Sequence, residues 1–310
     1  MKNTIANRQA ICDTLIELAE KDRDIIVLCS DSRGSAGLKP FYDKYPRQFV
    51  ETGIAEQNIV GIAAGLASCG KKPVVASPAA FLSARSAELV KIDVAYSHET
   101  EVLLGVSGGI SYGSLGMSHH SLQDIALMRA IPGIDVILPC DRFESAAVIR
   151  DLMETPRPAY VRIGRNPVPD VFEQGTADYI RGKATLLHKG NDAAIIATGE
   201  MVRFALDAAL MLEQEGIKVQ VYDMHTLKPL DEAAVISSSQ TRFIVTMEEH
   251  SIYGGLGSAV AQVVCEYSPC EVKCLAIPDE PAIAGNSEQV FKHYGITAEN
   301  AAALIRKKIR

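Results

Sequence analysis

Strand-sized apolar runs alternate with helix-like stretches along the chain, and this alternation limits the fold more than any other feature. Strands are expected over 25–29 (IIVLC), 73–77, 101–107, 135–139 and 159–163. They show little period-two alternation, as strands buried on both faces do. Helical spacing of apolar residues falls over 5–20, 56–69, 83–96, 122–130 and 142–153. Strand and helix in strict turn require crossover connections, hence a mostly parallel sheet with helices on both faces.

The pattern breaks over 166–190, where Pro167, Pro169, Gly175, Gly182 and Gly190 punctuate a polar stretch. It restarts with strands over 193–197, 219–223, 243–247 and 273–277, and helices over 201–215, 231–237 and 257–265. The expected plan is α/β, with two doubly wound, mostly parallel-sheet domains. They span 1–168 and 191–310, joined by a linker over 169–190. The length of 310 residues suits two domains.

The formal charge of −7 gives no bulk attraction for a polyanion, which argues against nucleic-acid binding. A local pair of arginines still suffices to hold a phosphate. The start of the chain shows no apolar leader. No apolar run approaches the roughly 20 residues of a membrane span, so a cytoplasmic protein without membrane contact is expected. The seven cysteines read as reduced thiols. Cys265, Cys270 and Cys274 lack the second ligand pair that zinc sites use, and no metal site is expected.

In a parallel sheet, ligands lie at the carboxyl ends of the strands. Glu56 begins a helix rich in small residues (Gly61, Ala63, Ala64, Gly65, Ala67), a face suited to close packing, between subunits for example. The macrodipole favours a carboxylate there in any case. The loop SGGISYGSLGMSHHS (107–121) is glycine-rich and ends in His119-His120, of which one can face a ligand while the other packs. Arg162 and Arg165 flank a strand end, where two arginines can clamp a phosphate. Dinucleotide, P-loop, serine-elbow and HExxH signatures are missing, as is a GDG followed by a downstream Asn.

Several spaced motifs together resemble the C-terminal half of transketolases, and more closely the second (B) subunit of split transketolases. They are CSDS (29–32), ETGIAEQNIVGIAAGLA (51–67), the AFL around Phe81, GMSHHSLQDIA (116–126), PAYVRIGR (158–165), HTLKPLD (225–231) and EEHSIYGGLGSAV (248–260). The resemblance covers essentially the whole chain. It implies a pyrimidine-binding domain for thiamine diphosphate, followed by a smaller transketolase-type C-terminal domain. The Mg2+- and diphosphate-binding half would lie on a partner chain, in an α2β2 assembly, which fits the missing GDG.

The resemblance also implies roles. Thiamine diphosphate reacts through C2 of its thiazolium ring. A buried Glu that donates a hydrogen bond to N1′ of the aminopyrimidine favours the tautomer whose nitrogen takes the C2 proton. Glu56 would be that residue. Phe81 would line the pyrimidine, and Asp31 would sit near the thiazolium. His119 would contact the sugar, Arg165 would bind the acceptor phosphate with Arg162 beside it, and Ser35 is a further phosphate candidate. Where typical members carry sugar-reading residues, this chain has Ser107, Ser114-Leu115 and His120, and Ala84 replaces a second aromatic. Ketol transfer on an unusual sugar or a smaller aldehyde, not necessarily the pentose phosphates, is therefore expected. Two alternatives remain: a subunit like the β chain of 2-oxoacid dehydrogenase E1, and a non-catalytic scaffold.

Overall fold

The computed structural model describes residues 3–309. Seven strands build the first sheet, in the order β10-β5-β6-β4-β3-β1-β2. They are β1 (Ile25–Cys29), β2 (Phe49–Glu51), β3 (Lys72–Pro78), β4 (Val102–Val106), β5 (Asp135–Ile137), β6 (Ala159–Arg162) and β10 (Thr226–Lys228). The first six run parallel, so their carboxyl ends share one edge. The second sheet has the order β12-β11-β8-β9-β7. It comprises β7 (Thr185–His188), β8 (Ala193–Ala197), β9 (Val219–Asp223), β11 (Phe243–Ser251) and β12 (Glu271–Ile277). The α/β class with two mostly parallel sheets is as expected.

Two elements correct the reading of the sequence. Thr185–His188, inside the expected linker, forms β7 and pairs antiparallel with β9. Strand β10 leaves the C-terminal half and pairs antiparallel with β5, so the second domain stitches itself into the edge of the first sheet. Both strands are short edge pieces whose few residues leave no periodic signal.

The helices cover both faces. α1 (Asn7–Ala19) and α6 (Arg142–Glu154) lie together; Asp141 caps α6 by accepting from the Phe143 and Glu144 amides. α3 (Glu56–Ser68) buries Ile59, Val60, Ala63, Ala64 and Ala67. Gly61 faces Asp93 of the Val90–Tyr96 π-helical turn, so this part of the small-residue face packs within the chain. α4 (Ala79–Leu89) begins directly after Pro78, four residues earlier than the sequence spacing suggests, which puts Phe81 in its first turn.

Candidate active site

Because six strands are parallel, the segments that follow β1, β2, β3, β4 and β6 converge on one edge, and they carry every expected site residue except Arg162, which is the last residue of β6. Glu56 opens α3 and is only 4% exposed. Its Oε2 accepts a hydrogen bond from Arg85 Nη1 at 2.9 Å, and its Oε1 has no partner among the described residues. One turn beyond Phe81 on α4, the Arg85 guanidinium lies over the Phe81 ring, 4.4 Å from its centroid. The other neighbour of Phe81 is His119, edge-on at 5.2 Å. His119 in turn meets Tyr112 at 5.2 Å, and Arg165 stacks over Tyr112 at 5.2 Å. Beyond Arg165, Arg8 from α1 donates a hydrogen bond to the Ser35 carbonyl. The Ser35 hydroxyl donates to the Ser32 carbonyl at 3.0 Å.

One line of side chains therefore runs Glu56–Arg85–Phe81–His119–Tyr112–Arg165–Arg8–Ser35. One end is a buried carboxyl beside an aromatic ring. The other holds two arginines with no carboxylate partner among the described residues. Burial, and then the nearby charge of Arg165, hold the Arg8 guanidinium below its ordinary value. Two uncompensated cations at a partly buried site fit an anionic group. At the opposite end, a carboxyl with one oxygen free and a flat ring suit the edge and face of an aminopyrimidine, so the residues fit thiamine diphosphate.

The remaining expected residues fall elsewhere. His120 points inward: its Nε2 lies 3.1 Å from the Gly113 carbonyl, and burial lowers its basicity, so it supports the loop from beneath. Ser107 is also buried, in a left-handed conformation (φ 57°) at the end of β4, with its hydroxyl unpartnered. Asp31 is exposed at φ 52°, and its amide donates to Glu51 Oε1 at 2.7 Å, apart from the line.

Arg162 requires the largest correction. It is 6% exposed and does not flank Arg165 at a phosphate site. Its Nε lies 3.3 Å from Asp124 Oδ2 and its Nη2 donates to the Glu249 carbonyl at 2.8 Å, inside the junction of the two domains. The inward face of β6 takes Tyr160 and Arg162, whereas Arg165 follows after the strand has ended. Sequence reading also misses Arg85, Tyr112 and Arg8. Only the sheet brings these three together, although the uncommon Arg85 one turn after Phe81 is a visible signal.

Residues 3–170 match the family "Transketolase, pyrimidine binding domain", and 182–301 match "Transketolase, C-terminal domain". The chain belongs to the transketolase family. It is 48% identical over 298 residues to the B-type subunit of the apulose-4-phosphate transketolase of Phocaeicola vulgatus, covering 96% of this chain and 95% of that protein. It is 36% identical to the 6-deoxy-6-sulfo-D-fructose transketolase subunit of Clostridium sp. strain MSTE9, covering 94% and 91%. A solved structure described as "Split gene transketolase, inactive beta4 tetramer" superposes with a TM-score of 0.90 at 36% identity and covers 98% of both chains. The protein is a subunit of a heteromeric, thiamine-diphosphate-dependent transketolase, and a complementary chain carries the other half of the site.

Proposed function

We propose that this subunit pairs with its diphosphate-binding partner as α2β2 in the cytoplasm and moves a two-carbon ketol unit between phosphorylated or otherwise anionic sugars of unusual structure. The carrying observation is the continuous line from Glu56 to the Arg165–Arg8 pair. In this reading the partner holds Mg2+ and the diphosphate. Thiamine diphosphate, when bound, supplies the nucleophilic carbon. Glu56 holds and donates a proton at N1′, and Phe81 packs on the pyrimidine. Asp31 faces the thiazolium side. His119 hydrogen-bonds the reacting sugar oxygens, while Ser107 and His120 shape the wall behind it. Arg165, with Arg8 and Ser35, takes the anionic end of the substrate.

Two observations support a non-standard substrate: the replaced sugar-reading positions, and relatives named for apulose 4-phosphate and a sulfonated fructose. The relative described as an inactive β4 tetramer supports a half-site that needs a second chain. The test is ketol transfer by the reconstituted pair over a panel that includes pentulose 5-phosphates and apulose 4-phosphate. The reading predicts a branched or modified donor at the top of the panel, and a loss of at least a hundredfold in Glu56→Gln, the scale of a general-acid contribution. Fastest turnover of ordinary pentose phosphates would overturn the substrate reading. An active Glu56→Gln would overturn the mechanism.

A further inference from the structure

His119 rides on a loop that closes where Gly109 and Ser121 pair, the Gly109 amide donating to the Ser121 carbonyl at 3.1 Å and the Ser121 amide returning at 2.7 Å. Four of the residues from Gly108 to Gly116 are glycines, so the loop is expensive to order by itself. Both of its feet stand on one segment of β11 in the C-terminal domain. At the first foot, Glu249 Oε1 accepts the Ile110 amide at 2.8 Å. A Cβ on Gly109 (φ 61°) would lie 2.1 Å from the Glu249 carboxyl carbon, so the carboxylate rests directly on the loop. At the second foot, the Ser251 amide donates to the Leu122 carbonyl at 2.9 Å.

The same Glu249 reaches the strand that leads to the anion site. Its carboxylate Oε2 lies 3.7 Å from Arg162 Nη2, which also donates to the Glu249 backbone carbonyl at 2.8 Å, and Arg165 follows three residues later. The Gly108 amide donates to the Ile163 carbonyl at 2.9 Å, tying the loop to that strand. Tyr160 and Arg162 both bind Asp124 Oδ2, at 2.7 and 3.3 Å, from behind. We propose that Glu249 is a positioning residue for the substrate: from the C-terminal domain it fixes the loop bearing His119 against the strand end bearing Arg165, and so sets the gap between a sugar's reacting carbon and its anionic end. The proposal rests on the split-transketolase reading above. It gives the C-terminal domain a part in substrate selection, although that domain contributes no side chain to the line described.

The test compares Glu249→Ala with Glu249→Gln in the reconstituted two-chain enzyme, by hydrogen exchange and by kinetics. Glutamine keeps an oxygen to accept the Ile110 amide, and alanine does not. Expected in Glu249→Ala are faster exchange confined to 108–121, a KM for a phosphorylated aldehyde raised about tenfold or more, and thiamine diphosphate affinity within twofold of wild type. Glu249→Gln should restore most of both. Unchanged exchange in a folded Glu249→Ala overturns the proposal. So does a loosened loop with an unchanged KM, or a Gln variant as impaired as Ala. If Glu249→Ala does not fold, Gly109→Ala, which pushes the loop off the carboxylate, must give the same exchange and KM signature, and its absence overturns the proposal. If the wild-type pair transfers no ketol unit at all, the proposed function fails by itself. The exchange arm then still decides the latch: protection lost in Ala and kept in Gln supports it, and protection kept in both overturns it.

Discussion

Replacing Arg162 by Met separates an interior latch from a phosphate clamp. The side chain is 6% exposed and faces Asp124 and Glu249, both buried. Methionine matches much of its volume but removes the cation, leaving at least one buried carboxylate uncompensated. Removing one member of a buried pair costs roughly 3–5 kcal/mol, a fall in Tm of roughly 10 °C for a chain of this size. Burial already raises the Glu249 carboxyl, and proton uptake there offsets part of the cost at lower pH. The loss should therefore be larger at pH 8 than at pH 6. The chain has no Trp, so far-UV circular dichroism under urea or heat is the assay. The double variant Arg162→Met/Glu249→Gln should recover part of the loss, because one stranded charge is gone. An Arg162→Met protein within about 1 kcal/mol of wild type that only binds phosphorylated substrate more weakly would refute the placement.

Arg165→Ala should raise KM roughly ten- to hundredfold for a phosphorylated acceptor, the value of one or two charge-assisted hydrogen bonds, and leave an uncharged aldehyde unaffected; parallel kinetics on the two acceptors check it. Glu200→Gln addresses pH. Burial, and then the neighbouring Glu249, push the Glu200 carboxyl up to about 8. The folded chain thus holds a proton there that the unfolded chain releases near its ordinary value. Stability from this group is full below that ordinary value and is lost as pH rises toward 8, by up to about 1.4 kcal/mol per pH unit. Urea melts from pH 5 to 8 should show wild type losing stability relative to Glu200→Gln, and parallel curves would contradict the assignment.

The parallel core is legible because buried parallel strands are short, apolar and unalternating, and IIVLC and AAIIA declare themselves. Strands β7 and β10 are not, since four and three residues at an edge carry no period. The terminal helices α10 (Ser287–Tyr294) and α11 (Ala298–Ile309) follow a polar, proline-containing stretch and escape the periodicity, although Asn286 caps the first and Gly295 ends it. At the site, the resemblance carried by the motifs singles out Glu56, Phe81, His119, Arg165 and Ser35, five residues of the line. Arg162 misleads because its partners lie far along the chain, Glu249 at a separation of 87 residues, and only folding shows that the β6 face is interior. Arg8 is hidden for the same reason: its contact with Ser35 spans 27 residues and leaves no local pattern.

A chain that supplies half of a thiamine diphosphate site should bind the cofactor only in company. The direct measurement is calorimetric titration of thiamine diphosphate, with Mg2+, into this chain alone, into the complementary chain alone and into the equimolar pair. Tight binding and ketol transfer are expected only in the pair, with binding weakened and transfer lost when Glu56 is Gln. Tight cofactor binding by this chain alone, or equally tight binding by the complementary chain whether or not this chain is present, would contradict a shared site.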